Sequence, residues 1–219
     1  MRHIHPDYDQ LRAVGKDLNS ALFKELTQDE YKIVARRLET IKKGKMRFDS
    51  YEQFDQYTDF CINDYVDSRG ENLVKRYKRR HHETISATEA RIIDALLTSQ
   101  TSLFQILSRD TDSATVQLKD LLNGGELAIT DRNLSASPGA TSFIMFTRIL
   151  TYGDDLHITS GASMLFPNHS REQVLLEYWR LLKKSPAGSI QSKRYAAFYK
   201  LHSKHGFKDM ARDEEATVA

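Results

Sequence analysis

The chain has 219 residues, of which 40% are hydrophobic and 28% are charged, and its formal net charge at pH 7 is +2. A chain of this length and composition is typical of a globular protein with a sizeable core, which excludes the disordered and fibrous classes. So small a net charge gives no argument for a nucleic-acid or membrane partner by itself. The single cysteine, Cys61, excludes an internal disulfide and favours a reducing compartment.

Targeting and membrane segments are not expected. The opening sequence MRHIHPDYDQ lacks the apolar core of a signal peptide. No run approaches the roughly 20 apolar residues that a membrane span requires. We therefore expect a cytoplasmic protein without a membrane partner.

The first hundred residues carry the signals of several helices. Four capping boxes, in which a hydroxyl and a residue three positions later satisfy each other's backbone amides, mark four helix starts. They are Thr27–Glu30, Ser50–Gln53, Ser86–Glu89 and Ser170–Gln173. After the first box, apolar residues recur every three or four positions as far as Ile41, which predicts a helix closed by Lys42-Lys43-Gly44. Another helix is expected from about Tyr8 to Leu26.

The middle of the chain changes period. Apolar and polar residues alternate in short runs separated by turn formers, which is typical of half-buried strands. The predicted strands are 103–108, 115–119, 126–130, 142–151 and 155–160. The turn Asn123-Gly124-Gly125 favours a hairpin between the second and third strands, and a helix over Leu118–Leu122 is the alternative. The fourth strand is apolar on both faces, so we expect the helix near 87–98 or that near 171–184 to cover it.

These elements predict an α+β fold with four parts. We expect a helical domain over 1–100 and a small five-stranded β-barrel of the SH3- or OB-like type over 101–167. A C-terminal helical pair over 168–208 is expected to pack on the barrel, and a disordered tail follows over 209–219.

Part of the chain resembles a known group. The segments TSLFQIL, LKDLLNGGELAITDRNLS, PGATSFIMFTRIL and ITSGASMLFP occur here in order. Between residues 85 and 167 the chain resembles a loosely defined set of uncharacterised bacterial proteins with a helical half and a small β-barrel. The resemblance supports the barrel boundaries and implies no activity. Some members end in a cysteine-rich SEC-C zinc motif, which is absent here because Cys61 is the only cysteine.

One local cluster is strongly basic. Residues 75–82 read KRYKRRHH and place five fixed positive charges in six positions around an aromatic ring. Such a cluster can neutralise phosphates, and its tyrosine can stack on a base. The candidate nucleic-acid-binding residues are Lys75, Arg76, Tyr77, Lys78, Arg79 and Arg80. The alternative is a solvated helix end whose cations offset the helix dipole. Nucleic-acid binding gains weight if the fold brings further basic groups, such as residues 42–47, beside the cluster.

Other candidate chemistry is weaker. Histidines occur in three close pairs without a third ligand at a recognisable spacing, so no metal site is predicted. The pairs are His3 and His5, His81 and His82, and His202 and His205. Cys61 lies on an apolar helix face, where thiols are usually inert. The stretch Ser160-Gly161-Ala162-Ser163 does not match a phosphate-binding loop. The sequence therefore predicts no catalytic residue and no cofactor.

The interpretation that these observations favour is a non-enzymatic cytoplasmic binding module, with nucleic acid as the candidate ligand of the basic cluster. The first alternative is a protein-interaction adaptor or homo-oligomeric scaffold, in which the aromatic-rich helices near 51–65 or 190–201 form an apolar contact face. The second alternative is an enzyme whose site is assembled from residues far apart in the sequence.

Overall fold

The chain forms an α+β structure, and the computed structural model describes residues 4–184 and 188–207 of it. The helices are α1 (Tyr8–Lys24), α2 (Gln28–Arg37), α3 (Tyr51–Asn63), α4 (Leu73–His81), α5 (Ala87–Thr98), α6 (Arg132–Ala136), α7 (Arg171–Lys184) and α8 (Ile190–His205). The strands are β1 (Ile41–Lys42), β2 (Lys45–Met46), β3 (Gln100–Asp110), β4 (Thr115–Asp120), β5 (Glu126–Thr130), β6 (Phe143–Tyr152), β7 (Leu156–Thr159) and β8 (Met164–Pro167). The tail predicted over 209–219 lies outside the described residues.

The predicted helix starts agree closely with the structure. Thr27 and Ser86 form complete capping boxes at the starts of α2 and α5. Ser50 accepts the N–H of Gln53, but the Gln53 side chain accepts from a different backbone amide than the box requires. Helix α7 begins directly after Ser170, whose hydroxyl instead donates to a backbone carbonyl, at 2.7 Å.

The predicted end of the second helix was wrong. Helix α2 stops where Glu39 adopts φ +57° and the N–H of Thr40 donates to the carbonyl of Ala35, at 2.9 Å. This is a Schellman ending, which normally uses glycine and is therefore hard to recognise at a glutamate. Lys43 and Gly44, with φ of +52° and +76°, form the turn of the β1–β2 hairpin instead of a helix cap. Both turn residues have the positive φ that a type I′ hairpin requires.

All five predicted runs form strands of one antiparallel sheet, in the order β5-β4-β3-β6-β7. Strands β4 and β5 pair through a loop in which Gly124 and Gly125 have φ of +81° and +89°. The hairpin prediction for this stretch is therefore confirmed, because glycine adopts such φ values without steric cost.

The sheet differs from the predicted five-stranded barrel. It has a sixth strand, β8, which pairs with β6 and was missed because its apolar run is only four residues long. The sheet curls until β5 and β7 approach each other, but no ladder joins these two strands. The result is an open, curled sheet, and a closed barrel of the SH3 or OB type is not confirmed. The domain boundaries predicted at 100 and 167 stay predictions.

Strands β7 and β8 follow one edge of β6, and a bulge separates them. Strand β6 contributes two residues, 147–148, where the opposing chain contributes four, Ser160 to Ser163. Ser160 still donates its N–H to the carbonyl of Arg148, at 3.0 Å. Gly161 and Ala162 therefore leave the ladder, and Gly161 adopts φ +96°. Bulges of this kind redirect side chains and are common beside functional sites.

Both faces of β6 are covered, as its apolar pattern predicted. One face packs against the sheet's own side chains and α6. On the other face, Phe146 stacks on Phe198 of α8 with ring centroids 4.2 Å apart. Tyr178 of α7 stacks on the far side of Phe198, at 4.7 Å. Helix α5 packs near the end of β6, against Leu150 and Tyr152. The cover therefore comes from α8, α7 and α5 together.

Candidate functional site

The predicted nucleic-acid-binding residues lie on α4. The Asn72 side chain caps this helix by accepting the N–H of Lys75, at 3.0 Å. Arg76 lies on the inward face, buried, with its Nη2 3.2 Å from Oε2 of Glu30. Burial acts to raise the pKa of Glu30, but the hydrogen bonds from Arg76 and the Thr27 cap outweigh it and leave that pKa below its usual value. Tyr77 is half-buried among apolar side chains. These two residues are therefore part of the packing of the fold.

The exposed cations of the cluster face acidic partners. The ion pairs are Lys78–Asp94 at 2.6 Å, Arg79–Glu71 at 3.0 Å and Arg80–Glu25 at 3.2 Å. Lys75 alone among the five cations has no ion pair within the described part of the chain. The fold thus places acidic side chains beside the cluster. Additional basic groups at these positions would have strengthened the nucleic-acid interpretation. Nucleic-acid binding through these residues stays a prediction.

A different part of the molecule forms an open cleft with a volume of about 700 Å³, between α1, α3 and the bulge after β7. Ligand sites for small molecules commonly have volumes of 300–1,000 Å³. The floor of the cleft consists of buried apolar side chains from α1, α3, α5, β6 and β7. They are Leu11, Ile62, Ile92, Leu96, Leu150 and Ile158.

Two contacts fix the ends of the cleft. At one end, the ring of Phe23 on α1 packs edge-to-face on Phe54 of α3, with centroids 5.8 Å apart. At the other end, Nη1 of Arg12 donates to the carbonyl oxygen of Thr159, at 2.9 Å. The first contact joins the two helices and the second joins α1 to the sheet, so the cleft is part of the folded framework.

The α1 wall of the cleft is cationic. It carries Arg12, Lys16 and Lys24, and Arg12 and Lys16 are four residues apart, which places them one above the other on the helix surface. Lys16 and Lys24 are exposed and form no ion pair with any described residue. These charges are therefore available to a ligand.

The α3 wall carries two carboxylates, Asp55 and Asp59. Asp59 is buried, and its Oδ2 accepts from Nε of Arg148 at 3.0 Å, so its charge is compensated within the protein. Asp55 is exposed and has no such partner in the described residues, and partial desolvation, together with the neighbouring charge of Glu52, raises its pKa. The cleft therefore presents three cations against one uncompensated carboxylate.

Arg148 forms a buried charge cluster behind the cleft. Besides Asp59, it donates from Nη2 to Asp64 and from Nη1 to the hydroxyl of Ser99, the latter at 3.2 Å. Burial raises the pKa of Asp64 to about 6, although the charge of Arg148 opposes this shift. Arg148 also lies opposite the bulge, and its backbone carbonyl oxygen accepts the N–H of Ser160. The cluster therefore ties α3 to β6 and fixes the position of the bulge.

Two hydroxyl groups in the cleft lack partners. Thr58 and Ser160 both line it, and the Oγ atoms of both are buried without a hydrogen-bond partner within the described residues. A buried polar group without a hydrogen-bond partner lowers the stability of the folded protein by about 1–3 kcal/mol, so such groups in native structures require an explanation. A bound ligand that forms hydrogen bonds with these two hydroxyls would provide the missing partner.

Gly15 is the third unusual feature of the cleft. It lies in the interior of α1, where glycine is less favourable than alanine by about 0.8–1.0 kcal/mol. A Cβ atom built at this position would meet no neighbouring atom within 4 Å, so no close packing requires a glycine here. Gly15 lines the cleft, and its missing side chain leaves the α1 backbone accessible.

The other predicted candidates lie elsewhere or are engaged in packing. Cys61 is fully buried, and burial raises the pKa of its thiol. His81 and His205 each contact a glutamate, at 2.7 and 3.1 Å, and His3 lies outside the described residues. Within residues 4–184 and 188–207, no group of three His, Cys, Asp or Glu side chains is arranged to hold a metal ion.

The aromatic residues of α3 and α8, expected as a contact face, mostly belong to the core. Tyr57 and Phe60 of α3 and Phe198 of α8 are fully buried. The larger exposed apolar side chains include Leu176 and Trp179 on α7, at 54% and 49% exposure. No helix of the described residues is both long enough and apolar enough to cross a membrane.

The cleft was not predicted from the sequence, because its residues come from α1, α3, α5, two strands and the bulge. The available signal was Gly15, a glycine inside an otherwise helical pattern. The tetrapeptide Ser160 to Ser163 was set aside because it lacks a phosphate-loop pattern, and the structure places it as a bulge at the cleft.

Comparison with known proteins adds a family and no activity. No curated protein and no solved structure matches the chain. The bacterial source and the SEC-C connection suggested by the sequence resemblance stay predictions. One family model, described as a family of unknown function (DUF7986), matches residues 2–212. The chain therefore belongs to this family of unknown function, DUF7986.

Proposed function

We propose that the protein binds a small molecule in the cleft between α1, α3 and the bulge, and that this ligand has an apolar body and an anionic group. The observation that carries the proposal is the combination of an apolar floor with an excess of uncompensated cations on one wall. Such a combination is typical of ligand sites, in which apolar contact provides affinity and a few polar groups provide orientation.

Two further observations support this choice. The unpartnered hydroxyls of Thr58 and Ser160 and the unexplained glycine at position 15 all lie along the cleft. Each costs stability in the free protein, and each is useful to a bound ligand. The proposal keeps the binding-module interpretation of the sequence and changes both the site and the ligand class. Cytoplasmic location, a protein partner and nucleic-acid binding remain separate proposals.

The test is a fluorescence titration with 8-anilinonaphthalene-1-sulfonate, a dye with an apolar body and one sulfonate group. We expect saturable binding with one site per chain. The double variant Arg12→Gln/Lys16→Ala, which removes two cations one helical turn apart on the α1 wall, is expected to weaken binding about fivefold, because two charge contacts of about 0.5 kcal/mol each are lost.

The matched control is Lys45→Ala/Lys75→Ala, which removes two exposed lysines that have no ion pair and lie outside the cleft. This control is expected to bind the dye like the wild type. The proposal is refuted if the native protein shows no saturable binding, or if both double variants weaken it equally.

A further inference from the structure

The bulge end of the cleft differs from the rest of it. Arg12 uses Nη1 to hold the carbonyl of Thr159, which keeps its guanidinium beside the bulge. The same Nη1 would lie 3.8 Å from a Cβ atom built on Gly161, so the guanidinium lies close to the open side of this glycine. A guanidinium carries five N–H donors, and the contact with Thr159 occupies one of its nitrogens. Donors therefore remain for a ligand.

The bulge itself supplies a second donor. Ser160 lines the cleft and its Oγ is buried without a partner among the described residues, although its backbone N–H is paired with Arg148. Gly161 follows with φ +96°, a conformation that L-residues rarely adopt. The unused hydroxyl therefore belongs to the residue between Thr159 and Gly161, the two positions that the Arg12 guanidinium approaches.

Gly15 lies three residues after Arg12 on α1, so the two positions are neighbours on the helix surface. The space at Gly15 is open, and the cleft floor near it includes Leu11 and Ile158. A cationic donor and the apolar floor of the cleft therefore lie side by side.

We propose that this end of the cleft is a head-group subsite. The anionic group of the ligand binds between the Arg12 guanidinium and the Ser160 hydroxyl, and its apolar body lies over Gly15 on the floor. An anionic oxygen accepts strong, short hydrogen bonds from both donor types, which a neutral group does not match. This inference rests on the proposed function of the cleft and adds the orientation of the ligand.

The test compares two dyes of the same ring system. One is 8-anilinonaphthalene-1-sulfonate, and the other is N-phenyl-1-naphthylamine, which lacks the sulfonate. In Ser160→Ala, we expect the Kd of the sulfonate dye to rise about tenfold, the loss of one hydrogen bond to a charged group, and the Kd of the neutral dye to change less than about twofold. Because the hydroxyl has no partner in the protein, this variant is expected to keep the stability of the wild type or exceed it.

Two further variants complete the pattern. Arg12→Gln is expected to reduce affinity for the sulfonate dye selectively, as Ser160→Ala does. Gly15→Leu is expected to weaken both dyes, because its side chain occupies the space of the ring system. The subsite is refuted if Ser160→Ala and Arg12→Gln change the two affinities equally or change neither. If wild-type protein binds neither dye, the proposed function of the cleft itself fails.

Discussion

Replacing Gly15 by alanine is expected to make the protein more stable while it narrows the cleft. The position is the eighth of the 17 residues of α1, well inside the helix. A new methyl group meets no atom within 4 Å, so the substitution introduces no clash and little apolar burial. The difference in helix propensity between glycine and alanine then decides the change in stability.

That difference is about 0.8–1.0 kcal/mol in favour of alanine. For a chain of this size, a gain of about 1 kcal/mol corresponds to an increase in Tm of roughly 2–4 °C. Urea denaturation followed by circular dichroism measures the free energy directly, and a thermal melt gives the Tm. Affinity for 8-anilinonaphthalene-1-sulfonate is expected to fall in the same variant.

The reciprocal control is Ala13→Gly, an exposed position on the same helix that does not line the cleft. It is expected to lose about 0.8–1.0 kcal/mol and to leave dye binding unchanged. A Gly15→Ala protein that is less stable than the wild type would refute the reasoning, because it would reveal a packing requirement for the glycine. Opposite effects on stability and binding would mark Gly15 as a residue retained for the ligand.

Four other predictions follow from the buried groups. Arg148→Met is expected to lower the free energy of unfolding by about 3–5 kcal/mol, because two buried carboxylates lose their cation. Urea denaturation measures this change, and a loss below about 1 kcal/mol would contradict the prediction. Burial raises the pKa of Asp64 to about 6, above its unfolded value, so the folded state holds this proton more tightly. The stability of wild type relative to Asp64→Asn should therefore fall as pH rises from about 4 to about 7, and a constant difference in melts across this range would contradict it. Arg76→Met is expected to lower the free energy of unfolding, measured by urea denaturation, by several kcal/mol, because Glu30 loses its buried partner. Lys75→Met is expected to change it by less than about 0.5 kcal/mol, and equal effects of the two variants would argue against the buried ion pair. Burial raises the pKa of Cys61, so we expect a thiol reagent to react far more slowly with native than with urea-unfolded protein, and equal rates would contradict its burial.

Local sequence signals predicted the starts of the elements better than their ends. Thr27 and Ser86 are followed three positions later by glutamate, and this pattern specifies a helix start by itself. The end of α2 depends on a positive φ at Glu39, which the helix propensity of glutamate does not indicate. Strand β8 was missed because its apolar run is only four residues long and the bulge from Ser160 to Ser163 separates it from β7.

The basic cluster shows why the local sequence did not predict the cleft. Five cations in six positions suggested a phosphate-binding surface, but four of them have acidic partners, which come from the C-terminal cap of α1, from α2 and α5, and from the loop before α4. Those pairings depend on the tertiary fold and are invisible in the local sequence. The uncompensated cations of the cleft, Lys16 and Lys24, are isolated in the sequence and attracted no attention there. Their significance comes from the apolar floor that the fold places beside them.

The most direct test of the cleft as a ligand site is an amide correlation spectrum of the ¹⁵N-labelled protein, recorded as 8-anilinonaphthalene-1-sulfonate is added. The chain has only 10 glycines, whose amide signals occupy a separate region of such a spectrum. The account predicts progressive shifts for Gly15 and Gly161, which line the cleft, and none for Gly70 or Gly124, which do not. Shifts confined to Trp179 and its neighbours on α7, with Gly15 and Gly161 unmoved, would contradict the account.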